Sequence, residues 1–259
     1  MKPIFDYLNC SEKLIDTVRS QVDSLAQAAS WFADTILAER MVHVFGSGHS
    51  RIMVEEMWPR YGSFPGFNPI VELSLTHHTQ VVGANGQRQA MFLENVSGLA
   101  GRILRNFACS ERDAALIISS SGCNVVPIEM AEEFRKQGIR VVAIVSKAHL
   151  SVSESKRKDG KKLDDFADLV LDTGAPAGDA MVEVEGLDFP VSPGSTVGGC
   201  LIVNAIKSQL ARLLTEAGKP PKVLTATCRI GKERAAEIFE SAYDEHSCLL
   251  AKTYENLGK

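Results

Sequence analysis

Short apolar runs alternate with helical stretches through the middle of this chain, and that rhythm limits what it can fold into. Met41–Phe45, Ile70–Leu73, Ala114–Ser119, Arg140–Val145 and Asp168–Leu171 read as strands. Arg88–Phe107 and Val125–Gln137 read as helices, the second stopped by Gly138, and a shorter helix after Gly48 runs to Trp58, where Pro59 ends it. Strands joined by helices imply right-handed crossovers and a doubly wound, mainly parallel α/β sheet with helices on both faces. In such sheets ligands bind beyond the carboxyl ends of the strands.

The flanks follow other patterns. Ser11 is placed to cap a long first helix in which Leu14, Val18, Val22, Leu25, Ala29, Phe32 and Ile36 form one apolar stripe. That stripe serves its own domain, or a partner subunit as well. Tyr61–Pro69, rich in Gly and Pro, reads as a loop. Ser151–Lys162 contains a basic run that is either solvated surface or an electropositive rim. Ser195–Glu216 reads as a helix after Pro193-Gly194, and Lys232–Leu257 as a helical tail. The expected division is an N-terminal helical arm over 1–40, a core over 41–214 and a C-terminal tail over 215–259.

With 259 residues, 45% of them hydrophobic, the chain can bury one large α/β core. Its net charge of −4 offers no global field for nucleic acid. The six cysteines form no C-x-x-C pair, which suits reduced thiols in a reducing compartment. Met1–Cys10 lacks a signal-like apolar run and nowhere do 18 apolar residues follow one another. A soluble, cytoplasmic protein without a membrane partner is expected.

Two loops carry the chemistry. The first, Gly46-Ser47-Gly48-His49-Ser50, follows the strand Met41–Phe45; glycines allow close backbone approach and helix-start amides favour anions. The dinucleotide fingerprint is incomplete, because Arg51 stands where its third glycine belongs; Glu72 keeps a nucleotide reading as a minor alternative. The second, Ser119-Ser120-Ser121-Gly122-Cys123-Asn124, repeats the arrangement with three hydroxyls able to wrap a phosphate. Either serine loop alone could simply cap a helix. Two at the ends of strands in one parallel sheet point to a shared anionic ligand.

These loops resemble those of the SIS (sugar isomerase) domains of phosphosugar isomerases, lyases and regulators, over a core from about Met41 to Leu214. Leu93-Glu94-Asn95-Val96-Ser97-Gly98, Asp159-Gly160-Lys161-Lys162-Leu163, and Leu171-Asp172-Thr173-Gly174-Ala175-Pro176 followed by Gly178-Asp179-Ala180 are similar to a phosphoheptose isomerase-like subfamily. The resemblance implies phosphate held by the hydroxyls of Ser50, Ser119 and Ser121 and the backbone of Ser120, with Gly46, Ser47, Gly48, His49 and Asn124 completing the site. It also implies a homo-oligomer, dimer or tetramer, and no cofactor.

Moving a proton between adjacent carbons needs an acid–base group. Glu56 matches the base position of heptose-phosphate isomerases, but Ile52 replaces the histidine that accompanies it there. Glu94 has polar neighbours in Asn95 and Ser97 and is the favoured candidate. His246, in the C-terminal helix, is placed by resemblance to enter a neighbouring subunit's site. His77 and His78 lack a further ligand at fixed spacing, so no metal is expected. The expected function is binding of a sugar phosphate with aldose–ketose isomerisation. The alternatives are elimination from a phosphorylated amino-sugar ether and non-catalytic sensing of a sugar phosphate.

Overall fold

The computed structural model describes residues 1–76 and 84–255. Five parallel strands form the central sheet: β1 (Val42–Gly46), β2 (Phe67–Ile70), β3 (Ala114–Ile118), β4 (Arg140–Val145) and β5 (Leu169–Asp172), in the order β2-β1-β3-β4-β5. Both neighbours of β1 are parallel to it, with Phe45 opposite Ile70 on one side and Ile117 on the other. Strand order reverses between β1 and β3, so a crevice opens beyond their carboxyl ends. Both serine loops leave the sheet there.

Alternation along the strands divides the core in two. Val42, Val44, Leu116, Ile118, Val142 and Ile144 face one layer, whereas Phe45, Ala115, Ile117, Val141, Ala143 and Val145 face the other. The first layer holds α1 (Lys2–Arg19), α2 (Val22–Leu37), α3 (Arg51–Met57) and α8 (Ser195–Glu216). The second holds α5 (Leu99–Leu104) and α6 (Val125–Lys136), with α4 (Gln87–Leu93) before them and α7 (Lys147–Val152) after β4. A short antiparallel hairpin of β6 (Ala180–Val182) and β7 (Val191–Pro193) precedes α8, and α9 (Thr227–Ile230) and α10 (Lys232–Lys252) follow it.

Several expectations are corrected. The first helix is two helices, and it starts at Lys2, not after Ser11. The break has a partner in the sheet: the Gln21 amide donates to the Asp172 carbonyl at 2.8 Å and accepts from the Asp172 N–H at 2.7 Å. Gln21 thereby closes the exposed edge of β5, which would otherwise leave these backbone groups unpaired. Val22 turns outward at the break, while Leu14, Val18, Leu25, Ala29 and Phe32 are buried within the chain's own core.

The second strand is Phe67–Ile70, shifted into the segment expected to be a loop. Its Pro69 is tolerated because β2 is an edge strand. The helix expected over Arg88–Phe107 divides at Glu94, where α4 ends, and α5 begins after Gly98 in the left-handed region. The hairpin and α7 had no counterpart in the sequence reading. The tail helix expected to reach Leu257 ends at Lys252 within the described residues.

At the amino ends of β1 and β3 lies a buried polar network. Arg40 Nε and Nη2 donate to the two Asp113 oxygens at 2.7 and 2.9 Å, and the Ser110 N–H donates to Oδ2 at 2.7 Å. His43, fully buried, takes the Asn68 amide on Nδ1 at 2.9 Å and meets Asp113 through Nε2 at 3.1 Å. Cys109 lies close enough to His43 and Asp113 for the trio to suggest metal ligands. The Arg40 guanidinium already supplies the cation, and both His43 nitrogens are engaged. This cluster is structural.

Candidate functional site

The loop after β1 makes one tight turn, Gly48–Ser50, before α3 begins at Arg51. The loop after β3 is folded by its own hydroxyls: Ser119 Oγ accepts from the Gly122 N–H at 3.2 Å and Ser121 Oγ from the Cys123 N–H at 3.3 Å. Gly122 sits at φ +64°, and a Cβ there would meet the Leu150 side chain at 2.6 Å, so another residue would be strained in this turn. The Ser120 hydroxyl is buried with no hydrogen-bond partner among the described residues, and the Ser146 N–H holds its carbonyl at 2.9 Å.

Between the loops is a cleft of about 210 Å³. Ser47, Gly48, His49 and Ser50 line it from the first loop, and Ser119, Ser120, Ser121 and Asn124 from the second. Gly46 is the last residue of β1.

Glu94 also lines the cleft and joins both loops. Its Oε2 accepts from Ser47 Oγ at 2.8 Å, and its carbonyl accepts from the Val126 N–H at 2.9 Å. Burial pushes the Glu94 carboxyl above the ordinary carboxylate range, although Ser47, Lys156 and Asn124 favour its charged form. The Asn124 side chain makes no cap bond to α6.

The other two acid–base candidates lie elsewhere. Glu56 borders a separate open cavity of about 550 Å³ with Arg60, Tyr61 and Tyr243. It is paired with Arg60 and accepts from Asn204 at 2.7 Å. Burial raises its pKa, but the hydrogen bonds from Asn204 and Arg60 outweigh this and hold it below the ordinary value. His246 packs against Trp58 with ring centres 5.2 Å apart and the rings tilted by 41°, and it borders a third cavity beside β2. Burial lowers its pKa. Within one chain, neither reaches the serine loops. His77 and His78 lie outside the described residues.

The basic run is tethered to the second loop. The Lys156 N–H donates to the Cys123 carbonyl and the Leu163 N–H to the Gly122 carbonyl, each at 2.9 Å. Arg157 is paired with Glu132 and Asp159. Lys156 is near enough for its charge to act on Glu94. The run is exposed at Lys156, Lys158 and Lys161, and it lines a neighbouring cavity with Asn95, Ser97 and Glu129, not the serine cleft.

Seven lining residues were missed as site candidates: Met53 on α3, Gln87 and Met91 on α4, His149 on α7, Asp179 before β6, and Ser195 and Thr196 opening α8. Asp179 Oδ1 accepts from the N–H groups of Gly194 at 3.1 Å and Ser195 at 2.7 Å, and Oδ2 accepts from Ser195 Oγ at 2.7 Å. The available signal was the start of a 22-residue helix, whose first amides attract an acidic group. His149, with Nδ1 buried and unpartnered, left no such signal.

A family profile described as SIS domain matches residues 6–146. The chain is 35% identical over 204 residues to the UPF0309 protein of Brucella anthropi, covering 79% of this chain and 81% of that one. It is 31% identical over 223 residues to a UPF0309 protein of Halalkalibacterium halodurans, covering 86% and 90%. Among solved structures, a phosphoheptose isomerase from Francisella tularensis is similar with a TM-score of 0.53 at 15% identity, covering 81% of this chain and 96% of that one, a likeness of fold alone. The doubly wound sheet, the paired serine loops and these relatives agree: the chain belongs to the SIS-domain family and, within it, to the UPF0309 proteins.

Proposed function

We propose that the cleft holds the phosphate of a sugar phosphate between the two serine loops and interconverts its aldose and ketose forms, with Glu94 moving the proton. The position of Glu94 carries this reading. A carboxyl raised toward neutrality by burial, and oriented by Ser47, suits proton transfer to and from carbon. Membership of the SIS-domain family supports the phosphosugar part.

On this reading Glu94 takes the proton from the carbon beside the carbonyl. The electron pair shifts onto the carbonyl oxygen, which takes a proton from solvent to give an enediol. The neighbouring hydroxyl then releases its proton to solvent as Glu94 returns the first proton to the former carbonyl carbon, so carbonyl and hydroxyl exchange places. The reaction is an internal redox exchange and needs no external oxidant or reductant. Glu56, neutralised by Arg60 and bordering another cavity, has no part in it.

Incubation with a sugar-phosphate panel in heavy water tests the assignment. Deuterium should enter at the carbon beside the carbonyl, and Glu94→Gln should slow this about 10²–10⁴-fold, the usual contribution of an acid–base group. Glu56→Gln should cost far less. Exchange kept by Glu94→Gln and lost by Glu56→Gln reverses the assignment. Release of a leaving group in place of an aldose–ketose pair identifies elimination, and no exchange with any substrate favours a sensor.

A further inference from the structure

We propose that the cleft selects sugar monophosphates whose remainder bears no second anion, and that Asp179 is the residue that rejects one. The inference rests on the phosphate reading above and names the substrate class for that site.

The strongest place for a second anion would be the start of α8. Ser195 and Thr196, which open this 22-residue helix, line the cleft, and a helix start favours anions. The chain has filled that place itself. Both Asp179 oxygens are used: Oδ1 by the Gly194 and Ser195 amides, Oδ2 by the Ser195 hydroxyl. Asp179 holds this position at φ +71°, a conformation that L-residues other than Asn and Asp seldom adopt.

The remaining charges point the same way. The acidic groups lining the cleft, among the described residues, are Asp179 and Glu94, the latter raised toward neutrality by burial, and no Lys or Arg lines it. The serine loops supply hydroxyls, amides and His49 for one phosphate. A second anion on the ligand, beyond the phosphate held by the serine loops, would lie near the Asp179 carboxylate, with the start of α8 already taken. Like charges brought together in a partly enclosed site discriminate strongly between ligands.

A sugar hydroxyl, or an ammonium in its place, finds acceptors where a carboxylate finds repulsion. Neutral and amino-sugar phosphates therefore fit. An ether whose leaving group is a hydroxy acid, the kind of substrate the elimination alternative would use, does not.

Calorimetry on the wild-type chain with a matched set of ligands tests this. N-acetylmuramic acid 6-phosphate adds a lactyl carboxylate to N-acetylglucosamine 6-phosphate, and its carboxamide keeps the bulk without the charge. The carboxylate should bind at least tenfold more weakly than the carboxamide, and Asp179→Asn should shrink that ratio. Asp179→Ser, which keeps a helix-capping oxygen, serves if the asparagine variant fails to fold. Equal binding of carboxylate and carboxamide by the wild type overturns the proposal, as does a ratio unchanged in a folded Asp179 variant. Removal of the phosphate from N-acetylglucosamine 6-phosphate reads the underlying assumption separately: unchanged affinity there removes the phosphate reading itself.

Discussion

Ser47 and Glu94 are 47 residues apart in the chain and are joined by a 2.8 Å hydrogen bond across the crevice between β1 and β3. Through this bond the first serine loop orients the carboxyl, while the Glu94 carbonyl anchors the helix that follows the second loop. One residue at the end of a seven-residue helix thus fixes the spacing of both loops. Its burial raises its pKa and carries a cost in stability.

That cost is measurable. Because the folded Glu94 carboxyl titrates above its ordinary value, the folded chain keeps a proton that the unfolded chain has lost between the two values. Stability contributed at this residue therefore falls as pH rises through that window. Glu94→Gln, which keeps an acceptor for Ser47, should gain in melting temperature relative to wild type as pH is raised from 5 to 8. A relative loss over that range would contradict the buried-carboxyl account.

Asp113 behaves oppositely. Burial pushes its pKa up, but hydrogen bonds from His43 and Arg40 outweigh it and hold the pKa below the ordinary carboxylate value. Its contribution is present at neutral pH and lost as pH falls through the folded value. Asp113→Asn leaves Arg40 and His43 without their partner charge and should cost about 3–5 kcal/mol at pH 7, as broken buried pairs do. Denaturant melts at pH 7 and pH 3 should show the gap narrowing in acid.

Ser121 tests the ligand side. Its hydroxyl makes one loop bond within the chain, to the Cys123 N–H at 3.3 Å. Ser121→Ala should change stability by about 1 kcal/mol or less. It should weaken binding of a sugar phosphate by about tenfold to a hundredfold, the worth of a bond to a charged group. Calorimetry with phosphorylated and dephosphorylated sugars separates the two effects.

Two glycines give opposite expectations. A Cβ on Gly198 would meet the Thr173 carbonyl oxygen at 2.1 Å, where α8 crosses the end of β5. Gly198→Ala should destabilise by about 1–3 kcal/mol through overpacking, and should disturb Ser195 and Thr196 at the cleft. Gly101, inside α5, has nothing within 4 Å of its added Cβ. Gly101→Ala should stabilise by about 0.5–1 kcal/mol, because alanine restricts the unfolded chain. Thermal melts of the pair decide both signs.

Thiol reactivity provides an independent check on the packing. Cys228 and Cys248 are exposed, Cys123 is buried, and burial pushes the Cys109 thiol up to about 12. A thiol reagent at pH 8 should modify Cys228 and Cys248 first, while Cys109 and Cys123 should wait for unfolding. Peptide mapping over a time course reads the order; early labelling of Cys109 would contradict the packing around Asp113.

The strands Ala114–Ile118 and Arg140–Val145, the helix Ser195–Glu216 and both serine loops were legible in the sequence because each is written in consecutive residues. An apolar run, a glycine turn and a helix start depend on neighbours a few positions apart. The doubly wound sheet followed from their alternation. The helix break at Gln21 was invisible, since its cause is the backbone of Asp172, 151 residues away.

The site divides along the same line. Glu94 could be singled out from its polar neighbours, but its burial and its bond to Ser47 exist only after β1 and β3 pair. Asp179, Ser195 and His149 come from three separate elements, and no spacing rule joins them to the serine loops. Local order arises from periodicity and turn chemistry, which the chain carries at every position. The placing of charges around the cleft arises from long-range packing, in which desolvation and contact between distant segments decide which carboxylate is raised, which is neutralised, and which seals the start of α8.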